Sequence, residues 1–298
     1  NGVIAKTIKE IVNGTPIITW QYETPLGKIQ RKRIWEKDSY SWGIREWGVH
    51  TTKELRILTY ALSNRIFEPD WEEYEKWKNY AGEQGVVYMA SGYSAIGYLL
   101  CLWMGIEGTM YAIADMPAVV EEAIEKINET NLQLIDLLCE SPAEIIIGGD
   151  NISSDIQPPH FFEKWSKKYY TEAAAQLHKK GKFFAIHVDG RLKGALKMTA
   201  ETGADCADAV TPAPMGDLTP LECRNGAGKN YILSGGVPPD LWLPDVELSL
   251  FKKAVIDWLE LKKISPRLIA NAGDQVPPFA EEKRILIMHD IIEKYGKY

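Results

Sequence analysis

The sequence predicts an α/β fold, a (β/α)8 TIM barrel with an N-terminal appendage. From about residue 85 onward, short runs rich in β-branched and aromatic residues alternate with longer amphipathic stretches, as in parallel βαβ units. The runs IIIGG and FFAIH show no polar–apolar alternation, which is expected for strands covered on both faces. No GxGxxG or GxxxxGK[ST] motif follows any strand, so a nucleotide-binding doubly wound sheet is less favoured.

The N-terminal part has a different pattern. ITWQYETPLGKIQRKRIWE predicts two strands around a turn at residues 25–27, a β-hairpin. TTKELRILTYALSN and DWEEYEKWKNYAGEQG predict two surface helices, and the basic run RKR at 31–33 predicts a solvated edge. We expect residues 1–84 to be an appendage packed on the barrel and residues 85–298 to form the barrel, in a single structural domain overall.

Seven strand–helix units are predicted in order along the barrel part. The predicted strands are GVVYMA (85–90), TMYAIA (109–114), AEIIIGG (143–149), KFFAIH (182–187), CADAV (206–210), YILSG (231–235) and RLIANAG (267–273). Each is followed by a helical pattern, the longest being PAVVEEAIEKINETNLQLIDLLCES. Seven units favour a closed barrel, because one further strand would complete it.

Composition excludes several functional classes. The chain has 298 residues, 45% hydrophobic and 25% charged, and a net charge of −7, which argues against nucleic-acid and anionic-membrane surfaces. No run approaches the roughly 18 apolar residues of a membrane-spanning helix, and no signal sequence opens the chain. The four cysteines form no CxxC pair, so we expect reduced thiols and a cytoplasmic location.

Polar residues and glycines follow the predicted strands, where parallel barrels gather their catalytic groups. These candidate site residues are Asp150, Asn151, His187, Asp189, Thr211, Met215, Asp217, Ser234, Gly235, Gly236, Asp274 and Gln275. Taken singly, each carboxylate also suits a helix cap or turn, the histidine a core position, and the glycines tight turns. Together, on one rim of a barrel, they indicate a functional site.

Three uses of this rim stay open from the residues alone. His187 and Asp189 could bind one metal ion, with Asp274 or Asp150 completing the set. The carboxylates could instead accept hydrogen bonds from an amine or a pyrrole N–H. In the third use, His187 is a general acid or base oriented by Asp189.

The run GGDNISSDIQPPHFFEKWSKKYYTEAAAQLHKKGKFFAIHVDG resembles the uroporphyrinogen decarboxylase superfamily. ETGADCADAVTPAPMGDL, YILSGGVPP and GDQVPPFAEEKRILIMHDIIEKYG continue the resemblance in the same order, over roughly residues 20–298. The superfamily contains decarboxylases and corrinoid-linked methyltransferases. The decarboxylases bind the acid groups of their substrate with an "RQAGRY" segment. The basic run RKRIWEKDSY does not match that pattern, so the resemblance is closer to the methyltransferase branch.

The resemblance implies a set of metal ligands. In the coenzyme M methyltransferases of this superfamily, His-x-Cys and a later Cys hold zinc. Here His187 matches the histidine, Asp189 replaces the first cysteine, and Asp274 stands where the second would be. Carboxylates make a harder site than thiolates, suited to polarising oxygen or nitrogen.

The leading hypothesis is therefore a methyltransferase between a small O- or N-methylated compound and a corrinoid (cobalamin) on a partner protein. His187, Asp189 and Asp150 are its candidate catalytic residues. The candidate substrate-binding residues are Asn151, Thr211, Met215, Asp217, Gly235, Gly236 and Gln275. By family analogy a homodimer is expected. The alternatives are a decarboxylase of a tetrapyrrole or smaller acid, and a non-catalytic barrel that binds a tetrapyrrole or corrinoid.

Overall fold

The computed structural model describes residues 2–297, and their packing divides them into two compact units. The first contains the residues up to Glu72 together with Tyr93–Ser141, and the second contains Glu73–Gly92 and the residues from Pro142 onward. The packing thus groups residues 93–141 with the N-terminal strands. The expected boundary after residue 84, and the packing of an appendage on the barrel, stay predictions.

The first unit contains a four-stranded antiparallel sheet in the order β1-β2-β3-β4. Its strands are β1 (Ile4–Val12), β2 (Thr15–Thr24), β3 (Gly27–Glu36) and β4 (Ser41–Glu46). The predicted hairpin is confirmed, since β2 and β3 pair from Ile17↔Ile34 to Thr24↔Gly27. The outer strands β1 and β4 were not predicted.

Helices complete the first unit. They are α1 (Thr52–Ser63), α3 (Ala95–Gly97), a π-helix (Tyr98–Trp103), α4 (Gly105–Asp115) and α5 (Pro117–Cys139), and α2 (Glu72–Ala81) connects the two units along the chain. Thr51 and Glu54 form a capping box at the start of α1. The predicted strand TMYAIA is wrong, because these residues lie in α4.

Five of the six other predicted strands are confirmed, and GVVYMA is confirmed only at its end, because β5 begins at Met89; the six form one parallel sheet. They are β5 (Met89–Gly92), β6 (Ile145–Ile152), β7 (Phe183–Val188), β8 (Cys206–Val210), β9 (Ile232–Val237) and β10 (Leu268–Ala272). Their order in the sheet is their order in the chain, and each neighbouring pair is parallel. Sequential parallel strands joined by helices form the wall of a (β/α) barrel.

Helices cover one face of the parallel sheet. They are α6 (Pro159–Trp165), α7 (Lys167–Lys179), α8 (Ala195–Ala200), α9 (Pro220–Ala227), α10 (Leu248–Glu260) and α11 (Lys283–Tyr295). Tyr170 of α7 stacks on Phe184 of β7 with ring centroids 6.1 Å apart. The opposite face, called here the open face, is less covered, and Phe183 there is 53% exposed. The expectation that these strands are covered on both faces is therefore wrong for β7.

The helices give no indication of a membrane span. Within residues 2–297, none is both long and apolar enough to cross a bilayer. Even α5, with 23 residues, exposes charged side chains along its length.

Candidate functional site

The open face of the parallel sheet forms a cavity of about 470 Å³. Its floor is mostly apolar and includes Ile147 of β6, Ala185 of β7 and Ile232 of β9. The register aligns these side chains with Cys206 of β8, so they form one layer across four strands. Apolar walls with a few polar groups are typical of small-molecule sites.

One layer nearer the carboxyl ends of the strands, the open face becomes polar. His187 of β7 lies opposite Asp208 of β8 in the register, and its Nδ1 is 3.0 Å from Asp208 Oδ2. On the next two strands, Asn271 Nδ2 donates to Ser234 Oγ at 2.9 Å. Asp208, Ser234 and Asn271 line the cavity, and the four side chains are called here the polar belt.

The polar belt holds a histidine in a charge-stabilising environment. Burial by itself lowers the pKa of His187. The hydrogen bond and charge of Asp208, with the charges of Asp274 and Asp189, outweigh burial, so the pKa of His187 is raised above its ordinary value. With Nδ1 bound to Asp208, Nε2 is the nitrogen that can give a proton to a ligand.

Asp189 lies next to this histidine without pairing with it in the way Asp208 does. Burial and the charge of Asp274 raise the pKa of Asp189, against the opposing charge of His187. The strand β7 ends at Val188, so the alternation that would align positions 187 and 189 stops before Asp189. The structure therefore places Asp208, and not the predicted Asp189, where it can orient His187.

The predicted metal ligands are not grouped in the structure. Within residues 2–297, no three His, Cys, Asp or Glu side chains come close enough to hold a metal ion. His187 uses Nδ1 for Asp208, and Asp274 is exposed on the loop after β10, where its charge acts on His187 and Asp189 without completing a group of metal ligands. The zinc set of His187, Asp189 and Asp274, with Asp150 as the alternative ligand, therefore stays a prediction, and no chemistry is routed through it.

The other predicted rim residues are scattered. Asp150 is 1% exposed within β6, whereas Asn151 is exposed with φ +50°. Asp217 Oδ1 accepts a hydrogen bond from the Leu192 backbone N–H at 2.7 Å and links the loops after β8 and β7. Met215 is 55% exposed, and Gln275 is exposed on the loop after β10.

The predicted ligand-contacting glycines have a packing explanation instead. A Cβ on Gly235 would lie 2.2 Å from the Val210 carbonyl oxygen, and one on Gly236 would lie 2.3 Å from the Trp258 ring. Thr211 is buried, and a Cβ on Gly273 would lie only 2.4 Å from its hydroxyl oxygen. These residues allow strands and helices to approach closely, and no bound ligand is needed to explain them.

Asp208 and Asn271 were missed in the sequence because they lie within strands, not after them. Both occur in short, otherwise apolar runs, CADAV and LIANA. A carboxylate within a buried strand is rare unless it is paired, and that signal could have identified Asp208. Ser234 was noted among the strand-end residues.

Comparison with known proteins bears on this fold. The family model described as "Uroporphyrinogen decarboxylase (URO-D)" matches residues 85–295. A solved structure, "methyltransferase from Methanosarcina mazei", is similar with a TM-score of 0.63 and 13% identity, covering 89% of this chain and 75% of that chain. At this identity the likeness concerns the fold, and it confirms the predicted TIM-barrel class with an N-terminal antiparallel addition. No curated protein matches the sequence.

Proposed function

Because the chain belongs to the uroporphyrinogen decarboxylase (URO-D) family, we propose that it is a methyltransferase acting between a small O- or N-methylated compound and a corrinoid on a partner protein. The name of the structurally similar methyltransferase supports methyl transfer. The observation that carries the proposal is the His187–Asp208 pair beside a cavity of small-molecule size.

The cavity suits the methylated compound and not the corrinoid. Small-molecule sites have volumes of roughly 300–1,000 Å³, and the cavity volume of about 470 Å³ lies at the low end of that range. The corrinoid therefore stays on its partner protein, and when present it supplies a cobalt that accepts the methyl group.

In this proposal His187 supplies the proton that the leaving group needs. As the methyl carbon departs, the electron pair of the C–O or C–N bond stays on the oxygen or nitrogen, and His187 Nε2–H donates its proton there. Asp208 stabilises the charged imidazole before transfer, consistent with the raised pKa of His187. In the reverse direction the neutral ring takes the proton back.

Two further residues are placed to orient the compound. Asn271 Oδ1 is buried and accepts no hydrogen bond from the residues that the structure describes, while its amide nitrogen donates to Ser234. An unused buried acceptor favours a ligand with an N–H or O–H donor. Asn271 is therefore proposed as a substrate-positioning residue.

Methylcobalamin formation tests the proposal. The purified protein is mixed with cob(I)alamin and a panel of O- and N-methyl compounds, and His187→Gln is compared with His289→Gln. His289 is 71% exposed on α11 and is not among the cavity-lining residues, so it is the control. We expect His187→Gln to be slower by roughly 10²-fold or more, and His289→Gln and chelator treatment to leave the rate unchanged. Absence of methyl transfer from every donor, or an unaffected His187→Gln, contradicts the proposal.

Decarboxylation is the second candidate, favoured by the description of the matching family model. Among the cavity-lining residues, Arg267 is the single basic one and is opposed by Asp205 and Asp208, which does not suit a substrate with many carboxylates. Release of CO2 from a smaller acid by the same preparation would support this candidate. Tight tetrapyrrole or corrinoid binding without turnover would support the non-catalytic barrel.

A further inference from the structure

Arg31 in the four-stranded sheet is buried between two tryptophan rings. It lies opposite Trp20 in the β2–β3 register, with its guanidinium carbon 4.4 Å from the centre of that ring and 5.3 Å from that of Trp103. Tyr22 stacks on Trp103 with centroids 5.2 Å apart. Only 7% of Arg31 is exposed, so the expected solvated basic edge is wrong at this position.

Strand alternation places the basic residues 31–33 of the RKR run on two different faces of β3. Lys32 points to the other face of β3 and pairs with Glu46 at 3.0 Å. Arg33 shares the face of Arg31, with its guanidinium carbon 5.6 Å from the Trp20 ring. Two guanidinium groups thus lie side by side over one aromatic surface.

No carboxylate within residues 2–297 pairs with either arginine. The acidic side chains that form ion pairs within this sheet do so with other cations: Glu23 with Lys6 and Lys28, Glu36 with Arg45, and Glu46 with Lys32. Burial, reinforced by the charge of Arg33, lowers the pKa of Arg31 to about 10. The Arg31 guanidinium therefore has no anionic partner among the residues that the structure describes.

The hydrogen-bond donors of these arginines are also unused. Nε and Nη1 of Arg31 and Nε of Arg33 are buried without an acceptor among the described residues. The buried Arg284 differs, since its Nε, Nη1 and Nη2 donate to Glu281, Leu241 and Val246. Arg65 likewise donates to Leu62, Tyr98 and Asn131. Within residues 2–297, Arg224 leaves only Nε without an acceptor, since its Nη1 and Nη2 donate to backbone carbonyls. Because buried guanidinium donors are normally satisfied, Arg31, with two unused donors and no hydrogen bond from the others to any described residue, differs from these arginines.

We propose that Arg31, with Arg33, binds the carboxylate of a small planar organic acid beside the Trp20 ring. A carboxylate matches the guanidinium fork and can accept two parallel hydrogen bonds. The half-buried Trp20 ring would pack on the planar body of the acid, a contact that a spherical inorganic anion cannot make. Nothing in this site depends on the His187–Asp208 pair, so it stands or falls separately from the proposed methyl transfer.

Benzoate is the probe, with benzamide as its uncharged isostere and inorganic phosphate and sulfate as competing anions. Binding is measured by calorimetry and by tryptophan fluorescence on the full chain. We expect saturable benzoate binding that is weakened about tenfold or more by Arg31→Lys, which keeps the charge but loses the fork. Lys32→Gln, a neighbouring cation on the opposite face, is the matched control and should leave the affinity within about twofold.

Four results would overturn the proposal: no benzoate binding, equal binding of benzamide, equal binding to Arg31→Lys, or phosphate or sulfate binding as tightly as benzoate. If circular dichroism shows that Arg31→Lys is unfolded, Arg33→Gln takes its place, because Arg33 Nε is the third unused donor. Benzoate affinity unchanged in a folded Arg33→Gln would then contradict the site.

Discussion

The ionisation of His187 depends mainly on a balance between burial and one carboxylate. Burial favours the neutral ring, and Asp208, 3.0 Å away, favours the charged one. Both side chains are more than two-thirds buried, so their interaction is less screened than that of a surface pair.

Replacing Asp208 by Asn should lower the pKa of His187, because burial then acts with little opposition. A raised native pKa stabilises the fold below the unfolded value of about 6.5, and this stabilisation is lost as the pH rises through the native pKa. We therefore expect Asp208→Asn to reduce the free energy of unfolding by about 1–2 kcal/mol at pH 5.5 and by less at pH 9.

Histidine NMR titration and denaturant unfolding at the two pH values measure both effects. Asp217→Asn is the control, because its carboxylate bonds to a backbone N–H and is not among the charges that raise the pKa of His187. An unchanged pKa of His187 in Asp208→Asn would refute the assignment of Asp208 as the orienting group.

Sequence reasoning found His187 and not its partner, and the reason is physical. Parallel barrels place functional groups at strand ends, whereas Asp208 lies within β8, directly opposite His187 in the register. Pairing between strands is a long-range property that the local sequence does not encode. Arg31 was misplaced for a different reason, since period-two alternation in IQRKRIWE already separates positions 31 and 33 from Lys32.

Among the structural elements, helix α4 shows how a short window misleads. TMYAIA is rich in residues that favour strands, yet the buried residues of α4 are Gly105, Thr109 and Ala112, which is helical spacing. Thr109 also donates its hydroxyl to the Gly105 carbonyl one turn earlier. A window starting at residue 105 would have favoured the helix, and six residues were too few.

Strand β9 depends on glycine for its packing against α10. Gly236 has φ +112°, and a Cβ there would overlap the Trp258 ring, whose Nε1 donates to the Ile269 carbonyl at 3.0 Å. An added methyl group would therefore force both a strained backbone and a displaced tryptophan.

Gly236→Ala should lower the free energy of unfolding by about 3 kcal/mol or more. Gly203→Ala separates the two causes, because Gly203 has φ +88° but no atom within 4 Å of its Cβ position. That control should cost only the backbone strain, about 1 kcal/mol. Denaturant unfolding of both variants provides the comparison, and equal losses would show that the contact with Trp258 is unimportant.

Over the whole molecule, the strand–helix alternation predicted the parallel sheet well. Six strands form in chain order, because each run is long enough to bury apolar residues and is followed by an amphipathic helix. The number of strands in a sheet depends on non-local pairing, so local patterns could not establish the predicted count of seven strands. The sequence also could not reveal that the two faces of this sheet differ in exposure.

Adjacent phenylalanines of β7 test that difference between faces. Phe184 is fully buried on the helix side, whereas Phe183 is 53% exposed on the open face. Phe184→Ala should lower the free energy of unfolding by about 3–5 kcal/mol, because it leaves a cavity against Tyr170. Phe183→Ala should cost about 1 kcal/mol or less, because that ring already contacts solvent. Urea unfolding of the two variants gives both values. A large loss for Phe183→Ala would mean that the open face is covered in solution, and the cavity beside His187 would then be closed to the proposed substrate.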